Sequence, residues 1–485
     1  MKKNILFLSF LALCLYLGVS SCANKNSSTD NTSTDLPSAS DDAALAIFKP
    51  VPLPNPKIPG FKFPEDSNLV NSWVAKNDMV KMAQHSWGIW TALTMNSGES
   101  YQGQKLSVFE TWFTPQDIQD GLASEEATTT LLAGKAARNP NKLKKPRQFN
   151  HNGKKLLAFN QSCAVENDVL VTVKYDPNAA QHIVKNKLFD STAMNAMLAK
   201  GNIMVPTFPN NSISIKPTYK LITKNSLVKG LYEMKIWTGP KTDTAGFPQC
   251  SWPAHIYVDI NNKGKGDGSV ALAGQGPTPQ NTYNVSDFIN IKVDSSMATL
   301  LKEEGFSKNV QRGDYVILVA MHITSKEIRR WVWESVWWSP NPNKPDAPST
   351  PTIVANRPSQ LQGAARHYAM TMAYTFINPD QPYTGGKNIG TPLFAFNPYL
   401  EAGFDAATFA DAMGRKSEVV TKRGIIQTDM GVRTNCMSCH GQSNYNPKNL
   451  ATGLGYIGDR YIDMADPRFK GTLQLDFLWS LDSPK

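Results

Sequence analysis

Cys436-Met437-Ser438-Cys439-His440 places two thiols three positions apart, with an imidazole directly after the second. At that spacing each thiol can add to one vinyl group of a porphyrin while the adjoining imidazole reaches the iron from below. The implied cofactor is one covalent haem c, with Cys436 and Cys439 as thioether anchors and His440 as proximal iron ligand. Two other uses of Cys-x-x-Cys compete. A dithiol redox pair needs a strand-helix-strand pattern nearby, which this stretch lacks. A zinc site needs two more soft ligands, and no second cysteine pair follows.

Beyond His440 there is no further histidine and a single methionine, Met464. A thioether opposite an imidazole makes a six-coordinate iron suited to electron transfer, so Met464 is the expected distal ligand. Met430, Met370, Met372, His367 or His322 upstream, or an open position, are the alternatives. Leu473, Phe477 and Leu481 recur every four residues, which predicts a terminal helix with an apolar stripe over the haem. Pro447, Tyr456, Tyr461 and Trp479 are expected in the pocket wall.

Cys436, Cys439, His440 and the following Gly441 resemble the attachment motif of the c-type cytochromes. The resemblance covers residues from about 395 to 485 and implies electron transfer as the default role. A second resemblance is wider. His322-Ile-Thr-Ser-Lys326-Glu327 with Trp331, Trp333, Trp337 and Trp338, and Asn397-Pro398-Tyr399-Leu400-Glu401-Ala402, look like an uncharacterised group of bacterial cytochrome c family proteins. No activity is carried over from that group.

The start of the chain agrees with attachment outside the cytoplasm, where bacteria join haem to this motif, as the family resemblance implies. Lys2 and Lys3 precede an apolar run of about 15 residues, too short to span a bilayer. Val19-Ser20-Ser21-Cys22 then resembles a lipobox, so residues 1–21 read as a lipoprotein signal peptide and Cys22 as the lipidated N-terminus. Residues 22–60 read as a flexible, proline-rich tether. The expected location is the bacterial cell envelope, lipid-anchored and facing the periplasm or the exterior. Cys163 and Cys250 suit one disulfide in that oxidising compartment, or two separate buried thiols.

The elements that must position the motif read as α+β. Segments 169–175, 203–208, 212–216, 231–237, 254–260 and 315–323 alternate or run apolar, interrupted by a helix over 179–200. They predict a β-rich, sandwich-like body over 61–340. An N-terminal helix over 77–95 carries Val80, Ala83, Trp87, Trp90 and Thr94 on one face, with Asn77 or Asp78 as N-cap. A proline-rich linker, 341–358, leads into a C-terminal part, 359–485, holding a small, mainly helical haem segment.

Removing Lys2 and Lys3 from a net charge of +10 leaves +8, which favours acidic partner surfaces or anionic lipid headgroups. The basic run Lys135–Lys155 lacks interleaved aromatics, so it reads as a solvated loop or a dock for an acidic redox protein, not a nucleic-acid site. Asp259 followed by NNKGKGDGS lacks calcium-loop spacing and reads as a glycine-rich turn. The expected function is a membrane-anchored monohaem electron carrier. The alternative is a haem-dependent oxidoreductase with a substrate site near His322, Lys326 and Glu327, where burial among indoles would shift pKa values. No flavin or dinucleotide fingerprint accompanies the haem motif.

Overall fold

A computed structural model of the protein describes residues 45–144, 169–241, 246–404, 430–448 and 458–481. The signal peptide, Cys22, Cys163 and the second half of the basic run lie outside the described residues. From Asp42 to Lys485 the chain forms one compact unit.

Two helices open that unit. α1, Ser67–Ala75, starts at Asp66, whose carboxylate accepts from the Asn68 and Leu69 N–H groups; α2, Met79–Leu93, starts at Asp78, which accepts from Lys81. These caps satisfy amides that a helix start leaves bare. Ala83, Trp87 and Trp90 are buried as the periodicity requires, whereas Val80 is 45% exposed. The Trp87 and Trp90 indoles donate to the carbonyls of Ile353 and Ala365, so both large side chains bury without leaving a bare N–H.

The largest sheet is antiparallel and has seven strands. Its four long members are β1 (Ile213–Ile222), β2 (Tyr315–Ser325), β3 (Val332–Trp338) and β4 (Tyr368–Ala373), in the spatial order β4-β3-β2-β1. Directly paired residues point to the same face of a sheet and neighbours along a strand to opposite faces. One row across the sheet is therefore Lys216, His322, Ser335 and Thr371, and the next row, on the other face, is Ile215, Ile323, Glu334 and Met372.

The expected sandwich is replaced by a mixed α/β arrangement with several sheets. Strands Leu231–Lys235, Ala254–Asp259, Ala271–Leu272 and Thr282–Asn284 make a separate four-stranded sheet that includes a parallel pairing. Its His255 and Asp259 are buried. The helix over 179–200 is two helices, Pro177–Lys185 and Ser191–Ala199, capped by Asp176 and Asp190. Segment 203–208 is a loop held by the Gln474 backbone. The proline-rich stretch does not end the body, because β4, which follows it, pairs along β3.

The C-terminal part also departs from expectation. No long helix covers its described residues; the stretch from Leu473 pairs Leu473–Gln474 with Asn444–Tyr445 and ends in a 3-10 turn at Trp479–Leu481. Asp476 and Phe477 take positive φ values of 46° and 71°, incompatible with a helix through them. The four-residue apolar period buries Leu473, Phe477 and Leu481 all the same, through an irregular chain path. Among the described residues no helix is long and apolar enough to cross a membrane.

Candidate functional site

The short helix α4, Cys436–His440, follows an asparagine that fixes both its start and its position. Asn435 accepts from the Met437 N–H, and its amide donates to the carbonyls of Thr375, Phe376 and Leu393. The Cys436 N–H donates to Ala395, continuing a parallel bridge between Ala395 and Asn435. On the other side of the helix the Ser438 hydroxyl donates to the Arg460 carbonyl, and the Trp479 indole donates to the Cys439 carbonyl of the helix.

Neither thiol of the motif is in a disulfide. Cys436, Cys439 and His440 line one cavity of about 40 Å³ with Lys216, His322, Leu400, Glu401, Phe404, Thr434 and Trp479. Residues 405–429 lie outside the described residues. A planar macrocycle needs far more room than this, so its entry requires the described wall to part.

His440 is held in one tautomer and in its neutral form. Its Nδ1 lies 2.9 Å from the Phe477 carbonyl oxygen, which can only accept, so Nδ1 carries the proton. Burial, with the charges of Lys216 and His322, holds the imidazole well below its ordinary pKa and therefore neutral. Nε2 then presents a lone pair, and the backbone carbonyl fixes the tautomer in the manner of a metal-ligating histidine. The Trp333 ring packs on this imidazole, with centroids 4.3 Å apart. The donor set thus fits a haem iron and two thioethers. Among the described residues no group of three or more histidine, cysteine or acidic side chains could hold a metal ion.

Of the three polar residues grouped by the sequence, only His322 reaches this cavity. Its Nε2 is 2.6 Å from Glu401 and its Nδ1 2.6 Å from the Ser335 hydroxyl and 3.7 Å from the Cys436 sulfur. Burial pulls this imidazole down, but Glu401 and the Cys436 sulfur outweigh it and raise the pKa to about 9. Lys326 instead reaches Asp476 at 2.6 Å and the Arg329 carbonyl at 2.8 Å. Glu327 belongs to the opposite face of the sheet, where it meets His85 at 3.0 Å and the Ser325 hydroxyl at 2.7 Å.

Met464 is buried in an apolar cluster with Cys436, Met437, Tyr461 and Phe477 but does not line the cavity. Of the alternatives, Met370, Met372 and Met430 pack in the larger core, and His367 stacks on Trp338. Cys250 is disulfide-bonded; Cys163 lies outside the described residues. Sequence reasoning missed Lys216, Glu401 as the partner of His322, and the Phe477 carbonyl. Lys216 and His322 are far apart in the chain and become neighbours only through strand register.

No family model, no curated protein and no solved structure matches the chain.

Proposed function

We propose that the protein is a monohaem c-type cytochrome that transfers electrons in a bacterial cell envelope, tethered there by lipid at Cys22. The observation that carries this reading is the single cavity wall shared by two thiols that are not in disulfides and a neutral histidine whose Nδ1–H is engaged by a carbonyl. Cys436 and Cys439 would carry the thioethers and His440 the iron, and Met464, which does not line this cavity, is the candidate for a further iron ligand. The bound group supplies reversible one-electron transfer. The chain's own part is to fix the imidazole tautomer through Phe477, to hold α4 through Asn435, and to close the site with Trp333 and Trp479. His322, Lys326 and Glu327 face three separate environments, which favours the carrier over an enzyme using them as one substrate site.

The test is an absorption spectrum of the exported protein in alkaline pyridine, with the mass of the peptide containing residues 436–440. A haem c spectrum and a peptide heavier by one haem are expected. A colourless protein, or a peptide with only its amino-acid mass, overturns the reading. The Cys22→Ala variant is expected to lose labelling by fatty acid while retaining haem.

A further inference from the structure

The geometry points to His322 as the base that deprotonates Cys436 for haem attachment, with Glu401 as the residue that positions it. This inference rests on the cytochrome reading above. It concerns the chain before the porphyrin is joined, a step in which the thiols must react.

Cys436 is buried, and among the described residues its sulfur has three polar neighbours: the Ala395 carbonyl oxygen at 3.0 Å, the Ser335 hydroxyl at 3.7 Å and His322 Nδ1 at 3.7 Å. A carbonyl accepts a hydrogen bond without taking the proton, and a serine hydroxyl is too weak a base to take it. The imidazole alone among the three can do so. Its other nitrogen faces Glu401 Oε1 at 2.6 Å, which holds a proton on Nε2; in the neutral ring Nδ1 is then an acceptor aimed at Ser335 and Cys436, and once Nδ1 has taken the thiol proton the adjoining carboxylate balances the imidazolium. Nucleophile, base and orienting carboxylate are thus joined in series. The second oxygen of Glu401 accepts from the Asn397 N–H, and Asn397 also caps the helix α3, Pro398–Glu401, so the carboxylate is itself held.

The chemistry is redox-neutral. The sulfur of Cys436 forms a bond to the inner carbon of a vinyl group, the vinyl π bond breaks, and a proton returned through His322 ends on the outer carbon. No oxidant or reductant is consumed. Formation of the thioether removes the sulfur's charge, so the pair left behind is His322 with Glu401, buried at the edge of the attached group.

The test uses the full chain produced without haem attachment and measures the iodoacetamide alkylation rate of each cysteine by mass spectrometry. His322→Gln is expected to slow Cys436 by ~10-fold or more, as loss of a general base does, and to leave Cys439 unchanged. Glu401→Gln is expected to shift the rate-pH profile of Cys436 alone, which a packing role would not do. Ser335→Ala takes a hydroxyl from the same imidazole but spares the base, so the Cys436 rate should stay at or above that of the parent. Equal changes at both cysteines in His322→Gln, or a loss in Ser335→Ala as large as in His322→Gln, overturn the assignment. In the exported His322→Gln protein, haem bonded through Cys439 alone, with one vinyl group intact, is the expected product. A parent that never acquires haem defeats the cytochrome reading yet leaves these thiol rates to decide the base.

Discussion

Two carboxylates on neighbouring elements show how position sets the state of a residue. Glu334 sits next to Trp333 in sequence yet on the reverse face of the sheet, buried near Ser86 and Glu327. Burial, reinforced by the Glu327 charge and only partly offset by the Ser86 hydroxyl, pushes its carboxyl well above the ordinary value of 4.5. The native chain therefore binds a proton that the unfolded chain releases, so stability falls as pH rises from about 4.5 toward the elevated native pKa. Glu334→Gln should flatten that decline and leave the variant the more stable of the two near neutral pH. Chemical denaturation at several pH values checks this, and an unchanged slope would mean that Glu334 is ionised in the fold. Around it, His85 bridges the Tyr374 hydroxyl at 2.9 Å and Glu327 at 3.0 Å, so Glu327→Gln weakens a hydrogen-bonded pair where Glu334→Gln does not. A second residue-level test concerns the proposed haem iron. Met464→Leu conserves apolar volume, so its expected effect is spectral: loss of the charge-transfer band that marks thioether ligation, with haem still attached. A spectrum identical to the parent's assigns the sixth position to another group.

At the scale of elements, the loop that ends in Phe477 is held by an ion pair with the end of β2. Lys326, the residue directly after that strand, donates to Asp476 at 2.6 Å, and Asp476 also accepts from the Phe208 N–H at 3.0 Å. Both charges are almost wholly buried. Removing one partner of such a pair leaves the other uncompensated, and Lys326→Met is expected to cost on the order of 3–5 kcal/mol. Asp476 adjoins Phe477, whose carbonyl fixes His440, so the variant should also bind haem less completely. Calorimetry and the haem-to-protein ratio measure the two effects; a full haem complement with lowered stability would separate the loop from the ligand. The contrast in legibility follows from the same contacts. That Cys436, Cys439 and His440 share one site was readable because they lie within five consecutive residues, and the structure places all three on one cavity wall. The Phe477 carbonyl carries no side-chain signature, and Glu401 meets His322 across 79 positions, so neither could be read from spacing. The terminal helix was misjudged because an apolar residue every fourth position records burial, and here two positive φ values and the Asp476 contacts bury those residues without a helix.

Across the whole molecule, the central sheet is what makes the haem motif and the preceding body one cooperative object. Its face with Lys216, His322 and Ser335 receives α4, while α2 sends His85 and Ser86 to the opposite face. β4 lies beyond the proline-rich stretch and pairs with β3 over six residues, from Trp333 with Ala373 to Trp338 with Tyr368. Cutting the chain at 340 would strip β3 of that partner and uncover Trp333 and Cys436's neighbours His322 and Ser335. An unpaired, apolar edge strand is a template for aggregation. The 61–340 fragment is therefore expected to be insoluble, and a 359–485 fragment, which keeps β4 but lacks β3, to remain unfolded. For the chain from Asp42 onward, thermal unfolding should be one transition, with tryptophan fluorescence and haem absorbance changing together, because Trp333 packs on His440 from within the same sheet. Two separated transitions, or a soluble 61–340 fragment with native-like far-ultraviolet circular dichroism, would show that the body stands without the haem segment and that β4 is dispensable to it.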